Sequence, residues 1–191
     1  MPVLHRATPL VAAVVGGVVA AATLSCSPRT AAGPPPSAPA PAASPHPTPA
    51  AVMPAPEPQP TANGPCGYLS VAAVQSLNGQ RVGAVRSSGT GPGRPYPACF
   101  FFARDGTLQL RTWIVLASPQ VARATVDAAA PVATSDLAQL PGGWSGGSQP
   151  TAQGAVFAVA RQGTAVVITT NQHQTIAARR VAQLVIAALG L

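Results

Sequence analysis

Arg111 and Trp113 stand two positions apart in the stretch Thr107 to Leu116 and so share one face of a strand. A guanidinium beside an indole can stack and hold an anionic or sugar ligand. The pair also fits a plainer role, with Trp113 packed beneath a helix. A second cluster, Pro141-Gly142-Gly143-Trp144-Ser145-Gly146-Gly147, surrounds a large aromatic with glycines, whose backbone takes sharp and close paths. It suits a ligand-gripping loop or an anion-binding nest, and equally a Trp that plugs the core from a long loop. It is not a phosphate loop, because the Lys such a loop needs does not occur in this chain. The candidate ligand-binding residues are therefore Trp144, Ser145, Arg111 and Trp113.

Catalytic groups are scarce. His173 is the only His after Cys66, which excludes a His-rich metal site. A Ser145, His173, Asp136 arrangement can be drawn on paper, but the small-residue elbow around a nucleophilic Ser is missing. Asp105, Asp127 and Asp136 fall in a turn, a helix and a loop, so a converging carboxylate pair is not expected either. The reading is non-enzymatic, with no metal and no cofactor; a hydrolase using Ser145 or His173 is the alternative.

The formal net charge is +7, carried entirely by Arg. These arginines are scattered, without the clustering or interleaved aromatics of a nucleic-acid site, so no nucleic-acid partner is expected. Charge of this kind favours long-range attraction to anionic lipid or polymer.

The elements that must position these residues begin late in the chain. His5 and Arg6, an apolar run from Leu10 to Ala22, and small residues before Cys26 follow the order of a secretory signal, placed at 1–25. Leu24-Ser25-Cys26 is similar to a bacterial lipobox, in which the Cys becomes lipidated, although the Leu stands one position closer than usual. The competing reading is cleavage after Ala20 to Ala22, leaving Cys26 a free thiol. Of the 3 cysteines, Cys66 and Cys99 fall in the folded part and are expected to pair in an oxidising compartment, which leaves Cys26 for the anchor. Residues 26–64 are rich in Pro, Ala, Ser and Thr and read as a disordered, extended tether.

The globular domain is placed at 65–191. Ser70 caps a helix to Leu77, stopped by Asn78-Gly79. Strands are expected at Gln80–Arg86, Ala98–Ala103 and Thr107–Leu116, the last two joined by Arg104-Asp105-Gly106. Ser118-Pro119 opens a second helix to Ala130. A hairpin of Ala155–Arg161 and Thr164–Thr170 follows, then a last helix. That helix is expected to be capped by Asn171 with Gln174 and to bury Ala177, Val181, Leu184, Val185 and Ala188. The class is α+β: an antiparallel sheet of about five strands with helices on both faces.

Cys66-Gly67-Tyr68-Leu69, Asn78-Gly79-Gln80, Ala98-Cys99-Phe100-Phe101, Ala130-Pro131-Val132-Ala133, Gly143-Trp144-Ser145-Gly146-Gly147 and Thr169-Thr170-Asn171-Gln172 together resemble an actinobacterial lipoprotein family. It is catalogued as a domain of unknown function, numbered two thousand and twenty. The resemblance covers Cys66 to Leu191 and implies a cell-envelope lipoprotein of a mycobacterium or relative, with a helix-sheet-helix sandwich like that of PsbP-like domains. It implies no catalytic residues. Function is then expected to be binding of an envelope protein, glycan or lipid by a domain anchored through a lipid to the outer face of the cell membrane. The remaining alternative is a structural or assembly factor without a small ligand.

Overall fold

In the computed structural model, which describes residues 51–191, two of the helices follow the caps that the sequence supplies. The Ser70 hydroxyl accepts the Ala73 N–H to open α1 (Val71–Asn78), and Gly79, at φ 68°, closes it. Ser118 accepts from the Val121 N–H, and Pro119 takes the first turn of α2 (Pro119–Ala129). The expected start of α3 (Thr175–Leu189) is corrected: its N-cap is Gln174, without a side-chain cap bond. Asn171 is engaged elsewhere, donating to Gln80 Oε1 at 2.9 Å and accepting from Asn78 at 3.0 Å. The helix is also rotated from its expected setting, since Ala177, Ala178, Val181, Ala182 and Val185 are buried whereas Leu184 and Ala188 are exposed. The expected signal segment, Cys26 and the tether to residue 50 lie outside the described residues.

The strands are β1 (Ala62–Asn63), β2 (Val82–Ser87), β3 (Cys99–Ala103), β4 (Leu108–Leu116), β5 (Asp136–Leu140), β6 (Trp144–Thr151), β7 (Gly154–Arg161) and β8 (Thr164–Thr170). They form one sheet in the order β1-β2-β3-β4-β8-β7-β6-β5, and every neighbouring pair is antiparallel. The expected class, an α+β sandwich of about five strands with helices on both faces, is thereby corrected to a more sheet-rich fold of 8 strands with three helices. The added strands, β1, β5 and β6, come from segments read as tether and loop. They lack apolar alternation, and the run in β6 holds Gly146, Gly147 and Pro150.

Those glycines have a packing cause. A Cβ on Gly146 would lie 2.1 Å from the Ala158 carbonyl and 2.8 Å from Val126 Cγ1, and one on Gly147 would lie 2.3 Å from Ser135 Oγ. Only bare backbone lets α2 and the turn after it approach β6 so closely.

Side-chain alternation sends two apolar clusters to opposite faces of the sheet. Phe157, Val159, Val166 and Ile168 join Val181 and Val185 of α3. Val156, Ala158, Ala165 and Val167 join Ala122 and Val126 of α2. Burial on both sides explains why β7 and β8 read as nearly unbroken apolar runs.

In β4 a bulge opposite Phe101 and Phe102 inserts Gln109 as an extra residue. Its side chain accepts from Asn78 Nδ2 at 3.3 Å and donates to the Arg81 carbonyl, and Thr170 completes the network with a 2.6 Å bond to Asn78 Oδ1.

Cys66 and Cys99 form a disulfide across a separation of 33 residues. Beside it the Tyr68 hydroxyl bonds with the Pro97 carbonyl at 2.8 Å and with Thr112 Oγ1 at 2.7 Å. Burial pushes Tyr68 up to about 12, against the lowering effect of the Thr112 bond. The folded state thus holds the phenol proton more tightly than the unfolded chain does. Its stabilisation is complete below the unfolded value near 10 and is lost as pH rises through about 12, by up to about 2–3 kcal/mol. Urea melts between pH 9 and 12 should show this fall in the wild type and a shallower one in Tyr68→Phe. Identical slopes would assign the loss to other groups.

The ordered fold also takes in residues ahead of Cys66. Ala62 and Asn63 pair with Ser87 and Arg86, and Pro58 is buried. In this part of the Pro-rich tract, expected to be disordered, the Ala55 N–H donates to Thr125 Oγ1 at 2.9 Å, the Thr61 N–H to the Ser87 carbonyl at 2.9 Å and the Gly64 N–H to the Val85 carbonyl at 3.2 Å.

Candidate functional site

α2 covers the β6–β7–β8 half of its face, and beside it the sheet floor is left open at β4. The opening is a groove of about 530 Å³. Arg111 and Trp113 of β4, with Val156, Val167 and Thr169, form its floor, and Thr125, Ala128 and Ala129 of α2 form one wall. Pro54, Ala55 and Glu57 also line it, with Ala55 held on Thr125 of α2 and Glu57 on Arg111 of β4.

The polar groups here are of both kinds, with the Arg111 guanidinium as donor and the Glu57 carboxylate as acceptor. The Arg111 guanidinium pairs with the Glu57 carboxylate, donates to Thr169 Oγ1 at 3.3 Å, and lies 6.0 Å from the centre of the Trp113 ring. Arg111 Nε and Trp113 Nε1 are buried and have no hydrogen-bond partner. Both atoms are shut off from solvent, so their unmade hydrogen bonds cost the folded state about 1–3 kcal/mol each. The Thr125 hydroxyl donates to the Val121 carbonyl at 2.8 Å and accepts the Ala55 N–H at 2.9 Å. A guanidinium that takes a carboxylate, set beside an apolar floor, makes a site for an anion joined to an apolar body.

Of the residues singled out from sequence, Arg111 and Trp113 are brought together and Trp144 and Ser145 are not with them. Trp144 is 2 % exposed in the cluster on the α3 face. The Arg161 guanidinium lies 5.0 Å from its ring centre. Its glycines 142 and 143, both at φ 85°, form the β5–β6 turn, so the ring is set by a strand start and not by a long loop. Ser145 pairs with Gln139 and Ala160, and Asp136 with Ser148. His173 is exposed beyond Thr170, whose ladder partner Ala155 pairs with Pro150. Five strand positions, about 16 Å at the usual rise, separate that end of the ladder from Ser145. Among the described residues no group of His, Cys, Asp and Glu could hold a metal ion.

Residues 48–191 match the family model described as Domain of unknown function (DUF2020). The chain belongs to this family. No curated protein matches it. The short motifs that suggested the family meet at three joints of the DUF2020 domain. Asn78-Gly79-Gln80 meets Thr170-Asn171 in the amide network, Cys66 meets Cys99, and Gly146-Gly147 meets α2 and the Ala130 carbonyl. Apart from Thr169, none of these motif residues lines the groove.

Sequence reasoning missed Glu57, Ala55 and Thr125. One signal was available: Glu57 is the only Glu in the chain, set in a tract otherwise poor in charge.

Proposed function

We propose that the DUF2020 domain is a non-catalytic binding module whose site is the Arg111–Trp113 groove. Its ligand is an anionic amphiphile, a carboxylate or phosphate attached to an apolar chain, of the kind found among envelope lipids. The observation that carries this reading is the Arg111 guanidinium, which lines a groove with an apolar floor and there holds a carboxylate, that of Glu57. The distance along the ladder between Ser145 and His173 favours a binding role over hydrolysis by that pair. A disulfide suits an oxidising compartment, in keeping with export and a lipid at Cys26.

The test uses full-length protein from membranes of its host, with mass spectrometry of the N-terminal fragment reporting acyl chains on Cys26. Titration calorimetry with decanoate and decyl phosphate then reads the groove. Binding should weaken about ten- to a hundredfold in Arg111→Ala, the effect of losing a charge-assisted hydrogen bond. Equal affinity in wild type and R111A, or no heat with either probe, would remove the proposed site, and a free thiol at Cys26 would remove the anchor.

A further inference from the structure

Glu57 occupies the anion position of the groove from within the same chain. The Ala55 N–H is fixed on Thr125 Oγ1 at 2.9 Å, Ala55 packs against the α2-face cluster, and Glu57 reaches Arg111. Downstream, buried Pro58 and the pairing of Ala62 with Ser87 hold the segment beside the groove. A group attached through so short a link acts at an effective concentration on the order of millimolar. It competes with any ligand that needs Arg111.

We propose that Pro54–Glu57 is a built-in competitor, a strap whose carboxylate must leave Arg111 before the anionic ligand can enter. This rests on the binding reading of the groove and adds its regulation.

The strap is displaceable. The Glu57 side chain is 60 % exposed against 16 % for Arg111, so the pair lies at the rim, where ion pairs are weak. A ligand that joins an anion to an apolar body covers the floor at Val156 and Val167 as well as meeting Arg111, which the Glu57 carboxylate does not do, and so displaces it despite the advantage of attachment.

Decanoate is the probe, with full-length wild type, Glu57→Ala, and Ala55→Pro, which deletes the N–H given to Thr125. Each variant should bind decanoate about two- to fivefold more tightly than wild type, the effect of removing a rim ion pair or its anchor. Hydrogen exchange gives a second readout: the Ala55 amide should be protected in free wild type and lose protection on saturation with decanoate. Decanoate bound with equal affinity by wild type, E57A and A55P, or bound while the Ala55 amide stays protected, would overturn the strap and leave the groove standing. Failure of all three proteins to bind decanoate or decyl phosphate would overturn the groove itself, and the strap with it.

Discussion

Replacing Trp144 with Ala should lower the melting temperature by about 10–20 °C, corresponding to about 3–5 kcal/mol. The ring is almost wholly buried where β6 begins. It belongs to the cluster that also holds Leu140 of the β5–β6 hairpin, with Ile186 and Leu191 at the end of α3 packed against it. Removing it costs the transfer free energy of a large aromatic and leaves a cavity that a sheet and a helix cannot both close. The Arg161 guanidinium would lose its aromatic partner at the same time. Decanoate affinity at temperatures where W144A remains folded should be unchanged, because Trp144 belongs to the cluster on the other face from Trp113. A variant that melted within a degree or two of wild type but lost ligand would make Trp144 a binding group after all.

Removing the disulfide should have an effect of similar size. For the 33-residue separation of Cys66 and Cys99, the loop-closure entropy withheld from the unfolded chain corresponds to about 4 kcal/mol. Typical domains are stable by about 5–15 kcal/mol, so the loss would be a large fraction of the total. Cys66→Ala with Cys99→Ala is the cleaner variant, since Ser at the fully buried position 99 would add an unpaired hydroxyl. Chemical denaturation should show a lower midpoint for the double variant, and wild type treated with reductant should move to nearly the same value. A midpoint unchanged by either route would mean that the unfolded chain is already compact around this loop.

The legible parts of the fold were those with local chemical causes. Ser70, Gly79, Ser118 and Pro119 mark helix ends through single hydrogen bonds or single backbone angles, and the structure uses each of them. The β7–β8 hairpin announces itself by apolar runs around Gln162-Gly163. β5 and β6 gave no such signal. The glycines of β6 serve the approach of α2 and the turn after it, and that demand leaves no period in a window of ten residues. Asn171 misled for a related reason. Its spacing to Gln174 fits a cap, but its amide is committed to Asn78 and Gln80, more than ninety residues earlier.

The site was half legible. Arg111 and Trp113 share a strand face, so their alternation could be counted. The sequence spacing of 54 residues between Glu57 and Arg111 carries no comparable signature. A carboxylate in a proline tract reads as solvated unless the register of the sheet is known. The family motifs, in turn, marked joints that hold the sheet and helices together, and a reading that followed them alone would have led away from the groove.

The position of the disulfide has a mechanical consequence for a chain pulled from its N-terminal side. Tension arriving at Cys66 passes through the covalent bond to Cys99 and enters β3, in the body of the sheet. The 32 residues between the two cysteines, α1 and β2 among them, form a closed loop that carries none of the load. Stretching the tract upstream can therefore strip the strap from its groove and peel β1 from the sheet edge while the rest of the domain keeps its shape.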